Sequence, residues 1–314
     1  MRYDGLNQLE HDRARSCVTI GVFDGVHLGH RHVVARTMAA APTGCPIVAV
    51  TFDPHPMSVV RPDAAPVMLS TIDHRVALLE DAGVDDVVVL PFTSELSSLS
   101  AEQFVAQVLV DKLRTRTVTV GENFRFGHRA AGTVDTLREL GKQFDFSVDA
   151  VGLIGDETVN WSSTFVRECI AAGDVDEAAQ VLTRPHRVEG EVVHGDHRGR
   201  DLGYPTANLQ MPAGAAIPAD GVYAGWLVRQ PYSSPQPLTA AISIGTNPTF
   251  DGVDRRVEAY VLDRDDLDLY GEHVALDFAQ RLRPTLKFDG VDELLRQMAT
   301  DVEQTRELTE SAQH

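Results

Sequence analysis

Two histidines three residues apart, His27 and His30, close the segment GVFDGVHLGH at 21–30. On a helix start they would share a face. Imidazoles beside the free backbone N–H groups of a helix N-terminus suit a phosphate. Protonated or neutral, each ring can donate a hydrogen bond to a phosphoryl group in transfer. That chemistry needs charge stabilisation more than a nucleophile on the protein. Gly21, Gly25 and Gly29 allow tight turns and close backbone approach. A competing catalytic reading is a metal centre of Asp24, His27, His30, Asp53 and His55. The ligand types suit it, but HExxH-type spacing is missing. A structural turn with locally satisfied histidines is the third reading.

Three further segments carry candidates. In TFDPHP, 51–56, Pro54 and Pro56 fix the backbone after a strand and hold His55, for substrate contact or only as part of a rigid turn. In VGENFRFGHRAAG, 120–132, Asn123 can hydrogen-bond a base, sugar or phosphate. Phe124 and Phe126 either wall an aromatic ligand or fill a core, and Arg125 and Arg129 bring positive charge. In WSSTFVRE, 161–168, Ser162 or Ser163 can cap a helix that gathers Ser163, Thr164 and Arg167 near its first turn. Arg167 lies four after Ser163, so both can face one phosphate. An ordinary capped surface helix fits equally.

A second constellation lies far along the chain, in HGDHRGRDLGYPTANL at 194–209. Gly195, Gly199 and Gly203 make a tight loop whose amides can cradle phosphates, although no GKS/T of a Walker A loop is present. Thr206 and Asn208 alternate by two, so in an extended segment they face one way. A hydroxyl and an amide oxygen are hard ligands suited to Mg2+. In RRVEAYVLD, 255–263, Val257, Ala259 and Val261 form an apolar face opposite Glu258 and Tyr260. A solvated Glu258 would be inert; one in a ligand cleft would orient or deprotonate a hydroxyl. Asn247 and Thr249 line that cleft or shape their loop. Arg283 and Lys287 meet phosphate or pair with nearby acids.

The elements that must position these groups change character along the chain. Apolar, β-branched runs at 17–23, 45–52, 86–90, 117–120 and 146–152 alternate with helix-like segments at 30–41, 74–83, 100–111 and 132–142. Ser70 with Asp73, and Ser100 with Gln103, read as helix caps. This alternation predicts a parallel sheet buried on both faces. The first site falls where a strand meets a helix, the usual ligand crevice of such sheets. Two short helices follow, at 162–172 and 174–182. Beyond about 184, strand-like runs at 186–194, 221–228, 238–245, 255–263 and 273–282 are punctuated by Gly and Pro. A small antiparallel barrel or sandwich is the expected closure. A terminal helix over 289–312 should pack back through Leu294, Leu295, Met298, Val302 and Leu308.

These motifs carry a resemblance. GVFDGVHLGH is similar to the signature of the HxGH nucleotidyltransferases, and WSSTFVR resembles their later Ser/Thr-containing, Arg-terminated motif. With TFDPHP and GENFRFG, the likeness narrows to the adenylyltransferase half of bacterial bifunctional riboflavin kinase/FAD synthetases. GYPTAN, IGTNPTF, VEAYVLD and LRPTLKFDGVDELLRQMATD resemble, in order, the riboflavin kinase module. Trp161 departs from the Ile or Val more usual there. The resemblance implies a Rossmann-like α/β nucleotidyltransferase domain at 1–184. A six-stranded antiparallel β-barrel kinase domain with a C-terminal helix would follow at 185–314.

It also implies the chemistry. Riboflavin would be phosphorylated by ATP–Mg2+ to FMN, with Glu258 acting on the ribityl 5′-hydroxyl. Gly195, Gly199, Gly203, Thr206 and Asn208 would bind ATP, and Thr206 and Asn208 the Mg2+. FMN would then attack the α-phosphorus of a second ATP, giving FAD and pyrophosphate. His27 and His30 would stabilise that transition state. Gly21, Phe23, Asp24, Ser163, Thr164 and Arg167 would hold ATP, and His55, Asn123, Phe124 and Arg125 the flavin.

Composition narrows the field. The 314 residues carry 28 Lys+Arg against 46 Asp+Glu, a net charge of −18. Such a chain suits neither nonspecific nucleic-acid binding nor an anionic membrane. Anionic substrates therefore require local positive charge, expected at Arg125, Arg167, Arg198 and Arg200. Cys17, Cys45 and Cys169 form no CxxC pair, and the odd count argues for a reducing, cytoplasmic setting. Two alternatives remain: an FMN adenylyltransferase with a non-catalytic flavin-binding barrel, and a non-enzymatic flavin-responsive binding protein.

Overall fold

A computed structural model of the chain describes residues 1–10, 13–152, 155, 161–195, 203–249 and 252–312. Contacts divide it into two units, Met1–Pro66 with Ile72–Ser162, and Val67–Thr71 with Ser163–His314.

The first unit holds a six-stranded, all-parallel sheet. Its strands are β1 (Arg2–Asp4), β2 (Ser16–Ile20), β3 (Ile47–Asp53), β4 (Asp86–Pro91), β5 (Thr115–Gly121) and β6 (Ser147–Val151), in the order β1-β4-β3-β2-β5-β6. Its helices are α1 (Leu28–Ala40), α2 (Pro56–Val60), α3 (Ile72–Asp81), α4 (Ser94–Ser98), α5 (Ala101–Phe104) and α6 (Val134–Phe144). Alternate strand residues bury opposite ways. Val18, Ile20, Val48, Val50, Val118 and Val120 meet Phe104, Leu109 and Leu137 on one face. Cys17, Ala49, Val87 and Val89 meet Val34, Val76 and Leu79 on the other. β2, β3 and β4 are buried on both faces, which is why they read as continuous apolar runs. Three-residue β1 leaves no such run and pairs only with β4.

The Ser100–Gln103 capping box forms as the sequence indicates. The helix it opens then widens into a π-helical stretch, Val105–Lys112, which buries Val105, Val108 and Leu109. The strand order reverses at β2. The chain lays β3, β4 and β1 on one side and β5 and β6 on the other, so ligands of such a sheet belong outside the carboxyl ends of β2 and β5.

The second unit opens with α7 (Ser163–Ala172) and α8 (Val175–Leu182). Then come β7 (His186–Val193), β8 (Thr206–Gln210), β9 (Gly221–Arg229), β10 (Gln236–Thr249), β11 (Gly252–Val261) and β12 (His273–Arg283). These strands close an antiparallel barrel in the order β10-β11-β8-β7-β12-β9. Tyr223, Leu227, Ile242, Ile244, Ala259 and Phe278 fill it.

The final helix, α9 (Val291–Ala312), buries an unexpected stripe. Asp301, Thr305 and Thr309 are its deepest residues, while Leu294, Leu295, Met298, Val302 and Leu308 are half-buried. The polar stripe is satisfied internally. Arg283 grips the Asp301 carboxylate through Nε and Nη2 at 2.9 and 2.7 Å. The Thr305 and Thr309 hydroxyls donate to carbonyls four residues back, at 2.7 and 2.9 Å. Arg283 is therefore the anchor of α9, which decides between its two sequence readings.

Candidate functional site

The first site grows from the turn after β2. Phe23 turns with φ 51°, and its buried ring lies over Gly21 and edges His30 at 5.2 Å between centroids. The chain then enters α1 with His27 as N-cap. The His27 Nδ1 accepts the Gly29 amide at 3.1 Å. An accepting Nδ1 places the proton of the neutral ring on Nε2. His30 stacks on His27 at 3.8 Å. Gly29 is needed there. A Cβ would stand 2.9 Å from the His27 ring and 3.2 Å from the Trp161 carbonyl oxygen.

His55 repeats the device one strand over. It caps α2, its Nδ1 accepting the Met57 amide at 3.0 Å, just after the cis Asp53–Pro54 peptide. After β5, the Phe124 amide closes a turn onto the Gly121 carbonyl at 2.9 Å, leaving Asn123 and Arg125 exposed. Phe124 stacks on buried Phe126 at 5.5 Å. Thus Gly21 to His30, His55, and Asn123 to Arg125 all follow the carboxyl ends of three adjacent strands, β3-β2-β5.

Asp24 is buried beneath this turn with a partner the sequence reading omitted. The Arg75 guanidinium on α3 lies 3.8 Å from its carboxylate. Arg75 also donates to the Phe52 carbonyl at 3.0 Å and the Thr51 hydroxyl at 3.3 Å, tying the end of β3 to the turn after β2. The available signal was an arginine on the apolar face of a predicted helix. The histidines do not form a metal centre. Two of them spend Nδ1 on caps and two lie ring on ring. Among the described residues no cluster of three or more His, Cys, Asp or Glu can hold a metal ion.

Ser163, Thr164 and Arg167 occupy the first turn and a half of α7, in the second unit. Arg167 Nε donates to the Val67 carbonyl at 2.7 Å.

The second site is set by barrel register. Glu258 on β11 stands directly opposite Asn208 on β8, and Tyr260 opposite Thr206. With Val257, Ala259 and Val261 filling the interior, Glu258 lies on the outer face. The Thr206 hydroxyl donates to its carboxylate at 3.2 Å. Its proton is thereby committed, and its lone pairs remain for another partner. The Asn208 amide lies against Gly195, where a Cβ would stand 2.3 Å from Nδ2 and 2.7 Å from Oδ1. Gly203 turns with φ 84° into a cleft of about 400 Å³ that Thr206, Arg264 and Tyr270 also line. His194 stacks on Tyr270 at 3.9 Å. Gly199, Arg198 and Arg200 lie outside the described residues, as do the side chains of Asn247 and Thr249.

Comparison with known proteins gives two matches along the chain. The FAD synthetase family model matches residues 9–165, and the riboflavin kinase model matches residues 182–309. A bifunctional riboflavin kinase/FMN adenylyltransferase of Escherichia coli K12 is 33% identical over 305 residues, 96% of each chain. One from Pseudomonas fluorescens is 36% identical over 312 residues, 99% of this chain and 98% of its own. A solved Streptococcus pneumoniae structure, described as a macrolide-efflux protein, matches with a TM-score of 0.85. It is 33% identical, with 98% of each chain covered. Among the described residues of the present chain no helix is long and apolar enough to cross a membrane.

Proposed function

The chain belongs to the family of bifunctional riboflavin kinase/FMN adenylyltransferases, and from that membership we propose which residues carry each reaction. It phosphorylates riboflavin with ATP and adenylylates the resulting FMN with ATP to FAD. The division we propose is 1–184 for adenylyl transfer and 185–314 for the kinase.

In the kinase, Glu258 orients the ribityl 5′-hydroxyl and takes its proton as the oxygen attacks the γ-phosphorus. Supporting this role, its carboxylate already accepts the Thr206 hydroxyl and faces Asn208 across the strand pair. That convergence is the observation that carries the assignment. Thr206 Oγ, with its proton committed to Glu258, and Asn208 Oδ1 are hard oxygens that fit Mg2+. When bound, Mg2+ would neutralise charge on the phosphates. Gly195, Gly199 and Gly203 bring backbone amides to the same phosphates.

In the adenylyltransferase, His27 and His30 donate to the charge that develops as the FMN phosphate attacks the α-phosphorus and pyrophosphate leaves. The position of His27 as N-cap of α1, with its Nδ1 accepting the Gly29 amide, supports this, because it sets the ring at a helix N-terminus. Gly21, Phe23 and Asp24 serve ATP through the turn they build, since the Phe23 ring and the Asp24 carboxylate are buried. Ser163, Thr164 and Arg167 hold the triphosphate, and His55, Asn123, Phe124 and Arg125 the flavin. A cytoplasmic setting belongs to the same proposal, since ATP and free thiols are both at home there.

Purified protein supplied with riboflavin, ATP and Mg2+ tests the assignment. FMN should rise first and FAD follow. FAD formation only when FMN is supplied would leave the barrel non-catalytic, and flavin binding without product would make the protein a flavin-responsive binder.

A further inference from the structure

We propose that Cys17 and Cys45 form a reversible dithiol–disulfide couple, closed by a hydroperoxide, at the sheet edge opposite the histidine turn. Cys17 is the second residue of β2, and Cys45 lies two residues before β3. The Cys17 amide donates to the Pro46 carbonyl at 2.9 Å, which fixes the two segments side by side. Both thiols are free, with their sulfurs 2.9 Å apart. A disulfide needs about 2.05 Å, so closure requires less than about 1 Å of movement. Reduced, the pair shares a hydrogen bond.

The two thiols differ in access. Cys17 is fully buried, and burial, then the hydrogen bond with Cys45, pushes its pKa up to about 12. Cys45 is half-buried and meets solvent peroxide first. Beside the pair, Arg15, Arg116 and Lys142 line an open cleft of about 470 Å³ together with Thr117 and Ser147. The Cys45 thiol reaches the Arg15 carbonyl at 3.4 Å, and Thr117 and Arg116 act directly on Cys17.

The chemistry balances. The Cys45 thiolate attacks one peroxide oxygen and the O–O bond breaks. A sulfenic acid forms on Cys45, and the departing oxygen takes a proton to leave as water or an alcohol. Cys17 sulfur then attacks the sulfenic sulfur. The S–O bond breaks, and the hydroxyl leaves as water with the Cys17 proton. Two thiols lose two electrons and the peroxide gains them. An external dithiol reverses the step by exchange.

The test treats the full chain with hydrogen peroxide, blocks remaining thiols by alkylation, digests it and measures peptide masses. The expected product is a peptide linking Cys17 to Cys45, short by two hydrogens and released by dithiothreitol. Cys169, buried and with its pKa pushed up to about 11 by burial and nearby acids, should remain alkylatable after unfolding. Cys45→Ser should abolish the link and leave Cys17 a thiol, whereas in Cys17→Ser Cys45 should stop at the sulfenic acid or oxidise further. Over-oxidised Cys45 beside an unmodified Cys17 in the wild-type chain would overturn the proposal. So would no reaction at either residue under conditions that oxidise a free thiol. Because the readout is mass, the result stands apart from either enzymatic activity.

Discussion

The two proposed sites handle phosphates by different constructions. At the parallel sheet, three turns from separate strands must end at one edge, and each is locked by its own device: a histidine cap after β2, another after β3, and a closed turn after β5. Buried Arg75 ties two of them together. At the barrel, Thr206, Asn208 and Glu258 are neighbours on two paired strands, and register alone aligns them. The first construction gathers groups from distant parts of the sequence and depends on buried supports. The second is short-range and depends on strand pairing and on one glycine, Gly195, making room for an amide.

That contrast is open to attack by substitution. The largest effect is expected for Glu258→Gln, which keeps the shape but removes the base. Riboflavin phosphorylation should fall by roughly 10²–10⁴-fold, while FAD formation from supplied FMN continues. Separate assays of the two half-reactions check it, and near-normal phosphorylation would remove Glu258 from catalysis. Arg75→Met removes the guanidinium beside the buried Asp24 carboxylate and its donations to Thr51 and Phe52, and breaking a buried pair costs about 3–5 kcal/mol. Urea unfolding followed by a signal from the first unit should register that loss, with the barrel transition unmoved. A stability equal to wild type would mean that Asp24 does not rely on Arg75.

His30→Ala should lower adenylyl transfer by roughly 10²–10³-fold and spare phosphorylation. Equal loss of both activities would point to misfolding. Gly195→Ala probes the tight fit at the barrel site. Its Cβ must displace the Asn208 amide, and a displacement near 1 Å costs up to roughly 10²-fold in rate. The kinase KM for ATP should rise with it, and an unchanged KM would separate Asn208 from the nucleotide.

Much of the architecture was legible because burial leaves a periodic trace. Two-sided burial of β2, β3 and β4 gave apolar runs, and one-sided burial of β11 gave alternation, so the parallel sheet follows from pattern, while the pattern left the second unit as barrel or sandwich. Elements stabilised by partners rather than by their own composition were less visible. Polar β1 exists through β4. The deep stripe of α9 is Asp301, Thr305 and Thr309 because Arg283 and helix carbonyls satisfy it. The candidate residues stood out by type and spacing, but their partners did not. Nothing in the spacing places Arg75 beside Asp24 or Thr206 against Glu258, because cross-strand register and helix docking are tertiary facts.

The central claim is that two independent sites in one chain act in series, with FMN as the shared compound. Its most direct test mixes equal amounts of the Glu258→Gln and His30→Ala proteins with riboflavin, ATP and Mg2+. Neither variant alone should carry riboflavin to FAD. Together they should, after a lag in which FMN from the His30→Ala protein accumulates and is adenylylated by its companion. Absence of FAD from the mixture, with both proteins folded, would contradict the account, as would either variant making FAD from riboflavin unaided at the wild-type rate.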